Sequence, residues 1–408
     1  MINYYTKYAN ENTNEHIEIE GEGELKQDHS SMKSWNRRTL VELLLSNGPK
    51  TRTWLSKVTG LAPSAVTRLT RELMDIGILT FVQHENKVEP GRKGELLDLA
   101  QKPIAAVFDV GVTKTSFALS FLNGKLDLIS HFATPETPEE FFKIVKEKVS
   151  EMRNLYDFNI LSFSIPGIVN MDSSTIILAP NLGWYDVDIP SYFDGGYEIL
   201  ADNEANLSML AEASYSPESE NMKNAVFVII REGVGTGVLI DGRIIHGDTF
   251  SAGEFGHMTI SVDSEEVCHC GNTGCWELFS SIKWANNHYG ELDGETQIDK
   301  FETLIRLAKD GTQRAIDILN AHAVNVGVGI ANIVNAINPD VVIIGGALSD
   351  APEQYFKKVE EETKKRALRM ATSNLVIRPT TFKSPSSNLV GASFFAIERF
   401  LDETLRSA

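Results

Sequence analysis

The sequence predicts an α/β protein with two lobes, preceded by a small helix-turn-helix module that carries a hairpin wing. Three observations support this prediction. Up to about residue 99, three short helical patterns are followed by a hairpin pattern. After Lys102, apolar strands alternate with helices. The length of 408 residues exceeds what one ordinary core accommodates, so two or three domains are expected.

Glycine and proline set the boundaries of the N-terminal helices. The first helical pattern begins near Ser34 and stops at an Asn-Gly-Pro sequence. The second ends at Gly60, and the third begins at Pro63 and breaks at Gly77. Residues 78–99 then predict two antiparallel strands, which form the hairpin wing.

The remainder of the chain predicts strands and helices around two glycine-rich turns, 111–115 and 233–236. The predicted elements are strands 104–110, 116–122, 160–165, 226–230, 237–240 and 341–344 and helices 314–337 and 388–405. An open α/β arrangement of this kind is typical of lobes that enclose a cleft. We divide the chain into an acidic flexible tail (1–32), a winged helix-turn-helix domain (33–99) and a two-lobed domain (100–408).

Charge distinguishes the N-terminal module from the rest of the chain. The whole chain has a net charge of −18, whereas residues 33–95 hold eleven Lys and Arg against six Asp and Glu, a local net charge of +5. A basic module joined to an acidic body suits a protein that binds DNA. A chance cluster of solvated lysines would give the same local charge and stays an alternative.

The third helix of the module predicts a polar face of the kind that contacts DNA. If Val66 and Leu69 face inward across the Gly60 corner, the outward positions combine hydroxyl and guanidinium groups. The predicted DNA contacts are Ser64, Thr67, Arg68 and Arg71, with Arg92 and Lys93 beside the tip of the wing. A helical hairpin that binds another protein is the alternative interpretation.

Nothing in the sequence indicates secretion or a membrane span. No apolar run approaches 18 residues, and the first 20 residues lack a basic patch followed by an apolar stretch. We therefore expect a cytoplasmic protein that does not enter a membrane.

The three cysteines of the chain lie within eight residues, as Cys268, Cys270 and Cys275. This clustering indicates a metal site rather than a disulfide framework. Zinc takes four tetrahedral ligands and accepts thiolate with imidazole, so a histidine or carboxylate must complete the set. We predict His257 as the fourth ligand of a structural zinc ion in a loop over 257–277, because His269 is wedged between two other ligands. Three free buried cysteines are the alternative.

Seven sequence motifs in order make the chain resemble the ROK family of bacterial sugar kinases and repressors. The motifs are Asp109-Val110-Gly111-Val112-Thr113-Lys114, Ile165-Pro166-Gly167, Ala179-Pro180-Asn181-Leu182-Gly183-Trp184, Asp202-Asn203-Glu204-Ala205-Asn206, Gly233-Val234-Gly235-Thr236-Gly237, Gly253-Glu254-Phe255-Gly256-His257 and the cysteine run closed by Trp276-Glu277. The resemblance covers about residues 34–400. It implies a sugar-kinase-like, actin-like ATPase fold for the two lobes. The N-terminal module followed by Gly91-Arg92-Lys93 is similar to the repressor branch, since the kinases lack that module.

The resemblance also implies roles for individual residues. Asn203, Glu254 and Glu277 would bind sugar hydroxyls, together with Glu204, and His257 would bind zinc through one ring nitrogen and the sugar through the other. The turns at 109–114, 235–237 and 345–346 match the phosphate- and nucleotide-binding loops of the kinases.

Two positions depart from the kinase pattern. Glu204 stands where the kinases have an aspartate as general base, and a carboxylate displaced by about 1 Å can cost roughly 10²-fold in rate. Val112 stands where the kinases have a glycine that lets the backbone approach phosphate. Both changes make the chain most similar to the xylose repressors of the family and predict a protein that is not an enzyme.

Three functions follow from these features. The favoured one is a sugar-responsive, DNA-binding repressor of carbohydrate-utilisation genes, with a monosaccharide effector for which xylose is the candidate. An ATP-dependent sugar kinase with a regulatory DNA-binding module is the main alternative, and a zinc sensor is the third. Operator DNA is the expected partner, and palindromic half-sites would require a homodimer or a dimer of dimers.

Overall fold

The computed structural model describes residues 29–82, 95–216, 218–219 and 222–407. The acidic tail predicted for 1–32 lies outside these ranges except for its last four residues, which belong to a helix. The predicted tip of the wing, with Arg92 and Lys93, also lies outside the described residues.

Three helices and a three-stranded sheet form the N-terminal module. The elements are α1 (His29–Asn47), β1 (Lys50–Thr51), α2 (Arg52–Thr59), α3 (Pro63–Asp75), β2 (Leu79–Val82) and β3 (Leu96–Leu99). The helix α1 begins four residues before the predicted domain boundary at 33, because the polar residues that precede Ser34 continue the helix. The strands are antiparallel in the order β1-β3-β2. Thr51 caps α2 by accepting a hydrogen bond from the Trp54 amide, and Gly60 ends it with φ +71°.

The first lobe is built on a mixed five-stranded sheet in the order β11-β7-β4-β5-β6. Its strands are β4 (Pro103–Val110), β5 (Lys114–Phe121), β6 (Leu126–Ala133), β7 (Ile160–Ile165) and β11 (Glu198–Asn203), with helix α4 (Pro138–Arg153) packed against them. A second, smaller antiparallel sheet in this lobe contains β8 (Ile168–Asn170), β9 (Thr175–Ala179) and β10 (Trp184–Asp188) in the order β10-β9-β8. In β10 the side chains of Trp184 and Val187 are buried, whereas those of Tyr185, Asp186 and Asp188 are exposed.

The second lobe repeats the arrangement with another mixed five-stranded sheet, in the order β14-β13-β12-β15-β16. Its strands are β12 (Ala225–Ile230), β13 (Val234–Ile240), β14 (Arg243–Ile244), β15 (Val341–Gly346) and β16 (Val376–Pro379). Its helices are α6 (Trp276–Ser280), α7 (Ile282–Tyr289), α8 (Gln297–Lys309), α9 (Gln313–Ile337) and α10 (Glu353–Arg366). The helix α9 is long and apolar enough to span a membrane by length and composition alone, but half of its apolar window is buried inside the protein. We interpret α9 as the core helix of this lobe.

Two helices connect the parts of the molecule. The helix α5 (Glu204–Tyr215) leaves the first lobe at β11 and packs on β12 and β13 of the second lobe, and α11 (Ser387–Ser407) packs along α5 and β4. Near its C-terminal end, α11 holds the N-terminal module through Arg38 of α1, which donates to Glu398 and, over 2.8 Å, to Asp402. The apolar core is therefore continuous from the module to the first lobe.

The glycines at 235–237 and 345–346 lie inside strands, where the resemblance implies phosphate-binding loops. Gly237 faces the start of α5, and a Cβ atom there would collide with the carbonyl oxygen of Ala205. Gly345 faces the ring of Phe227 on the neighbouring strand in the same way. Close packing in the second lobe therefore explains why glycine is needed at positions 237 and 345, whether or not a nucleotide binds.

Candidate functional site

A cleft of about 360 Å³ lies between the two lobes. The first lobe lines it with the turn after β4, with the small sheet β8–β10 and with the start of α5. The second lobe lines it with the turn between β12 and β13 and with the segment that leads into α6. Two lobes joined by continuous helices place the polar residues of both around one concave site.

Three of the side chains predicted to bind sugar converge in this cleft from the second lobe. Glu254 and His257 flank a single turn of 3₁₀ helix, and Glu277 lies in the first turn of α6. The His257 Nε2 atom lies 3.9 Å from a carboxylate oxygen of Glu254. Glu277 accepts a hydrogen bond of 3.1 Å from the Val234 amide, which fixes its carboxylate against the β12–β13 turn. The structure therefore places Glu254, His257 and Glu277 around one cleft.

The pKa values of Glu254 and Glu277 are shifted in opposite directions. Burial raises the pKa of Glu254 to about 7, and the nearby charge of Glu277 acts in the same direction. Burial acts to raise the pKa of Glu277 as well, but its hydrogen bond with His269 and the charges of His269 and His257 lower it on balance. A carboxyl group can pair with a hydroxyl group in either protonation state.

Asn203 already makes structural hydrogen bonds at this site. Its Oδ1 atom caps α5 by accepting from the amides of Ala205 (2.7 Å) and Asn206 (3.3 Å), and its Nδ2 donates to the carbonyl of Gly167 (2.8 Å). The side chain still lines the cleft. Its position is therefore fixed before any ligand arrives, which is the preorganisation that a sugar-contacting amide requires.

Glu204, at the position that the resemblance assigns to the general base, is held in an ion pair. Arg231, directly after β12, places Nη1 at 3.0 Å from Glu204 Oε2 and Nη2 at 3.6 Å from Asp109 Oδ2. Asn388 of α11 donates to both carboxylates, over 3.2 Å to Asp109 and 3.3 Å to Glu204. Burial raises the pKa of Glu204 to about 7, although Arg231 acts in the opposite direction. One oxygen of the Glu204 carboxylate, Oε2, is therefore engaged by both Arg231 and Asn388.

The cysteine loop forms a compact donor cluster beside the cleft. The donor atoms of His257, Cys268, Cys270 and Cys275 all lie within 4.8 Å of one another. Cys268 Sγ lies 3.5 Å from His257 Nδ1, and Cys270 Sγ lies 3.7 Å from Cys275 Sγ. Ligand atoms of a tetrahedral thiolate–imidazole site lie roughly 3.5–3.8 Å apart, so the cluster fits a tetrahedral metal ion. His257 can bind it through Nδ1 while Nε2 faces Glu254.

A second donor set overlaps the first. It joins His257 and Cys268 with His269 and Glu277, again within 4.8 Å. In this set His269 Nδ1 lies 3.1 Å from Glu277 Oε1, and the other Glu277 oxygen accepts from the backbone. Both carboxylate oxygens of Glu277 already have a partner in the protein. The histidine–tricysteine set (His257, Cys268, Cys270 and Cys275) is therefore better suited to bind a metal ion.

A model of the ROK family matches residues 105–399, which is most of the chain. The chain belongs to the ROK family. It is 27% identical over 384 residues to a xylose repressor of Bacillus subtilis (strain 168), covering 92% of this chain and 98% of that protein. It is 28% identical over 379 residues to a xylose repressor of Caldicellulosiruptor bescii, covering 87% of this chain and 94% of that protein.

The family contains enzymes as well as regulators. A glucokinase of Halalkalibacterium halodurans is 24% identical over 307 residues, covering 69% of this chain and 92% of the enzyme. Among solved structures, a ROK family transcriptional regulator homologous to the Escherichia coli MLC protein superposes with a TM-score of 0.73 at 22% identity, covering 92% of this chain and all of that one. A ROK glucokinase from Streptomyces griseus superposes with a TM-score of 0.64 at 21% identity, covering 72% of this chain and 98% of the enzyme. These likenesses establish the sugar-kinase-like fold of the two lobes.

Four of the six residues predicted to contact DNA lie on α3 of this ROK protein, and the other two, Arg92 and Lys93, lie outside the described residues. Ser64, Thr67, Arg68 and Arg71 are all exposed, whereas Val66, Leu69 and Leu73 are buried against α1 and α2. The inward and outward faces that the sequence predicts are therefore those that the structure has.

Two residues of the cleft, Arg231 and Tyr185, have no role predicted from the sequence. Arg231 precedes the glycine-rich turn at 233–236, and Tyr185 directly follows the Asn-Leu-Gly-Trp motif. His269, which the sequence analysis excludes from the zinc ligands, lines the cleft at 3.1 Å from Glu277. An arginine at the end of a buried strand is the one signal that could have indicated an ion pair inside the cleft.

Proposed function

We propose that this ROK protein is a DNA-binding transcriptional repressor that a monosaccharide releases from its operator. One observation carries the proposal. The sugar-facing groups Glu254, His257 and Glu277 share one cleft, while Glu204 beside them is occupied by Arg231. The residues that can bind hydroxyl groups are present, whereas the carboxylate at the general-base position is paired with an arginine. Such a site suits the sensing of a sugar better than its phosphorylation.

The N-terminal module supports the DNA-binding part of the proposal. Residues 33–99 would form a winged helix-turn-helix, with α3 entering the major groove and the hairpin after Gly77 contacting the backbone. The exposed Arg68 and Arg71 supply guanidinium groups for guanine edges or phosphates. The xylose repressors align over nearly the whole chain, module included, whereas the glucokinase covers 69% of it.

We also propose that the metal ion of the histidine–tricysteine set is Zn²⁺ in a structural role. Thiolate and imidazole ligands in a closed tetrahedron are typical of structural zinc sites. The ion would fix the tautomer of His257, so that Nε2 presents a defined partner to a sugar hydroxyl. It would also hold the segment that carries Glu277.

The repressor would act as a homodimer or a dimer of dimers in the cytoplasm. Two recognition helices are needed to match a palindromic operator, and their spacing must equal the spacing of the half-sites. Sugar binding can lower DNA affinity only if it favours one arrangement of lobes and modules over another. The contact of Arg38 with α11 links the module to a helix whose other end, at Asn388, donates a hydrogen bond to Glu204, which lines the cleft.

A thermal-shift screen tests the sensing proposal directly. The panel would contain D-xylose, D-glucose, N-acetyl-D-glucosamine and their phosphates, together with ATP and Mg²⁺. A ligand of the folded state raises the melting temperature. The proposal expects a sugar to raise it, and the same sugar to dissociate the protein from a duplex that it has selected from a random DNA library. A complete lack of response to every sugar would contradict it.

A further inference from the structure

A row of apolar side chains crosses the small sheet where that sheet lines the cleft. Tyr185 on β10 lies opposite Leu178 on β9, and Leu178 lies opposite Ile168 on β8. Residues directly opposite on neighbouring strands project from the same face of a sheet. All three residues line the cleft. We refer to Ile168, Leu178 and Tyr185 as the apolar row.

Tyr185 is the most exposed member of this row. Its exposed fraction is 61%, while the adjacent Trp184 on the other face of β10 is 1% exposed and packs in the core of the first lobe. A large aromatic side chain left open on the wall of a cleft is informative, because single exposed aromatics on convex surfaces are ordinary but a cleft wall is a place for ligands. The ring therefore has apolar area available for a ligand.

The second lobe supplies the polar side of the same cleft. Glu254, His257 and Glu277 offer oxygen and nitrogen atoms that pair with hydroxyl groups. Glu232 of the second lobe and Glu204 of the first lobe add two further carboxylates, and the guanidinium of Arg231 is already paired with Glu204 and Asp109. A phosphate group would meet these carboxylates without a free cation from Arg231, so the cleft disfavours it electrostatically.

The ligand that fits both sides has an apolar face and a rim of hydroxyls, and it carries no charge. We propose that the apolar row is the platform for one ring face of an uncharged cyclic monosaccharide, with Tyr185 as the residue that determines affinity for the ring. This inference rests on the proposed sugar-sensing function and narrows its effector class. Contact between the C–H face of the ring and the tyrosine buries apolar area on both, which stabilises the complex.

Isothermal titration calorimetry with the full-length protein tests this role. The ligands are D-xylose, D-glucose, N-acetyl-D-glucosamine and glucose 6-phosphate, with the open-chain polyol xylitol as a probe that has hydroxyls but no ring. The variants are Tyr185→Ala and Tyr185→Phe, with Asp188→Ala as the matched control on an exposed position of the same strand that does not line the cleft. Melting temperature and operator affinity without sugar are measured for each.

The platform predicts about tenfold weaker sugar binding by Tyr185→Ala, and affinity within about threefold of wild type for Tyr185→Phe and Asp188→Ala. It predicts that xylitol and glucose 6-phosphate bind at least about tenfold more weakly than the matching ring sugar. Operator affinity and melting temperature should stay unchanged.

Wild-type sugar affinity in Tyr185→Ala, or tight binding of glucose 6-phosphate, would overturn the platform and leave sugar-responsive repression intact. An equal loss of sugar affinity in Tyr185→Phe and Tyr185→Ala would assign the effect to the hydroxyl instead of the ring and would also overturn it. If no sugar binds the wild type, the proposed function fails and the platform fails with it.

Discussion

The guanidinium of Arg231 lies 3.0 Å from the carboxylate of Glu204, so the residue at the general-base position is paired with a cation from the other lobe. Arg231 also approaches Asp109 at 3.6 Å, and Asn388 donates to both carboxylates. The charge of Arg231 is therefore taken up by Glu204 and Asp109 within the protein itself. Three consequences of this site and two of the DNA-binding module can be measured.

The first prediction is that the protein has negligible sugar kinase activity. Glu204 is paired and displaced relative to an aspartate, and Val112 lines the cleft where close approach to phosphate needs a glycine. A coupled assay with ATP, Mg²⁺ and several hexoses and pentoses should show turnover far below the roughly 1–100 s⁻¹ that is common for kinases.

Stepwise variants separate the reasons for inactivity. Glu204→Asp with Val112→Gly should gain little phosphorylation, because Arg231 still occupies the carboxylate, and adding Arg231→Gln should increase it. Wild-type turnover in the normal kinase range would contradict the account of Glu204. A gain in the double variant equal to that of the triple variant would show that Arg231 does not block the position.

The second prediction is one zinc ion per chain, held by the histidine–tricysteine set. His257→Ala and Cys275→Ser each remove a donor whose distances fit a tetrahedral site, so elemental analysis should find these variants depleted of zinc. His269→Ala is the matched control, because His269 belongs to the competing set with Glu277. Full zinc in His257→Ala would exclude both sets, and zinc loss in His269→Ala would favour the competing one.

The third prediction concerns DNA recognition by α3. Arg68→Ala and Arg71→Ala should each weaken operator binding by about 1–3 kcal/mol, since both side chains are exposed beside Ser64 and Thr67. Fluorescence anisotropy at one fixed salt concentration measures this, because DNA affinity varies steeply with salt. Arg369→Ala, an exposed arginine in the second lobe, serves as the control. Unchanged affinity in the double variant would show that another surface recognises DNA.

The fourth prediction concerns the pH dependence of the junction between α1 and α11. Burial raises the pKa of Glu398 to about 7, although its ion pair with Arg38 acts in the opposite direction. Since the pKa is higher in the folded state, this group favours folding at low pH, and the contribution is lost as pH rises through about 7. Glu398→Gln should therefore reduce the fall in unfolding free energy between pH 5 and pH 8 by about 1–3 kcal/mol.

Melting curves across that range measure the effect, and Glu403→Gln is the control because Glu403 is half exposed on the same helix. An identical pH slope in Glu398→Gln and wild type would place the pKa of Glu398 near its ordinary value. The prediction would then be wrong, and Arg38 would hold a fully ionised partner.

Local signals in the sequence were sufficient for the N-terminal helices and for much of the cleft. Gly60 adopts a positive φ that favours glycine, so this residue predicts the end of α2 from the sequence alone. The start of α1 was less predictable, because the residues from His29 to Lys33 are mostly polar and show little helical periodicity. The glycines at 235–237 suggested a loop but lie in β13, because their small size serves the packing of α5 against the strand.

Contacts that depend on the tertiary fold could not be predicted. Arg231 and Glu204 are 27 residues apart and belong to no shared motif, and their pairing requires β12 to end beside the start of α5. The apolar row needs the register of three strands before Tyr185 and Ile168 share a face. The donors of the metal cluster were predictable because Cys268, Cys270 and Cys275 sit on one loop, where spacing alone brings them together.

Operator affinity with and without sugar, measured for wild type and Glu254→Ala at one fixed salt concentration, decides whether the protein is a sugar-released repressor. We expect a neutral sugar to weaken operator binding by wild type about 5- to 150-fold, the range of typical allosteric coupling. Glu254→Ala should bind the operator as tightly as wild type and fail to respond to the sugar, because the lost carboxyl lies in the cleft and not in the module. Operator affinity of the wild type that is unaffected by every monosaccharide and sugar phosphate tried would contradict the account.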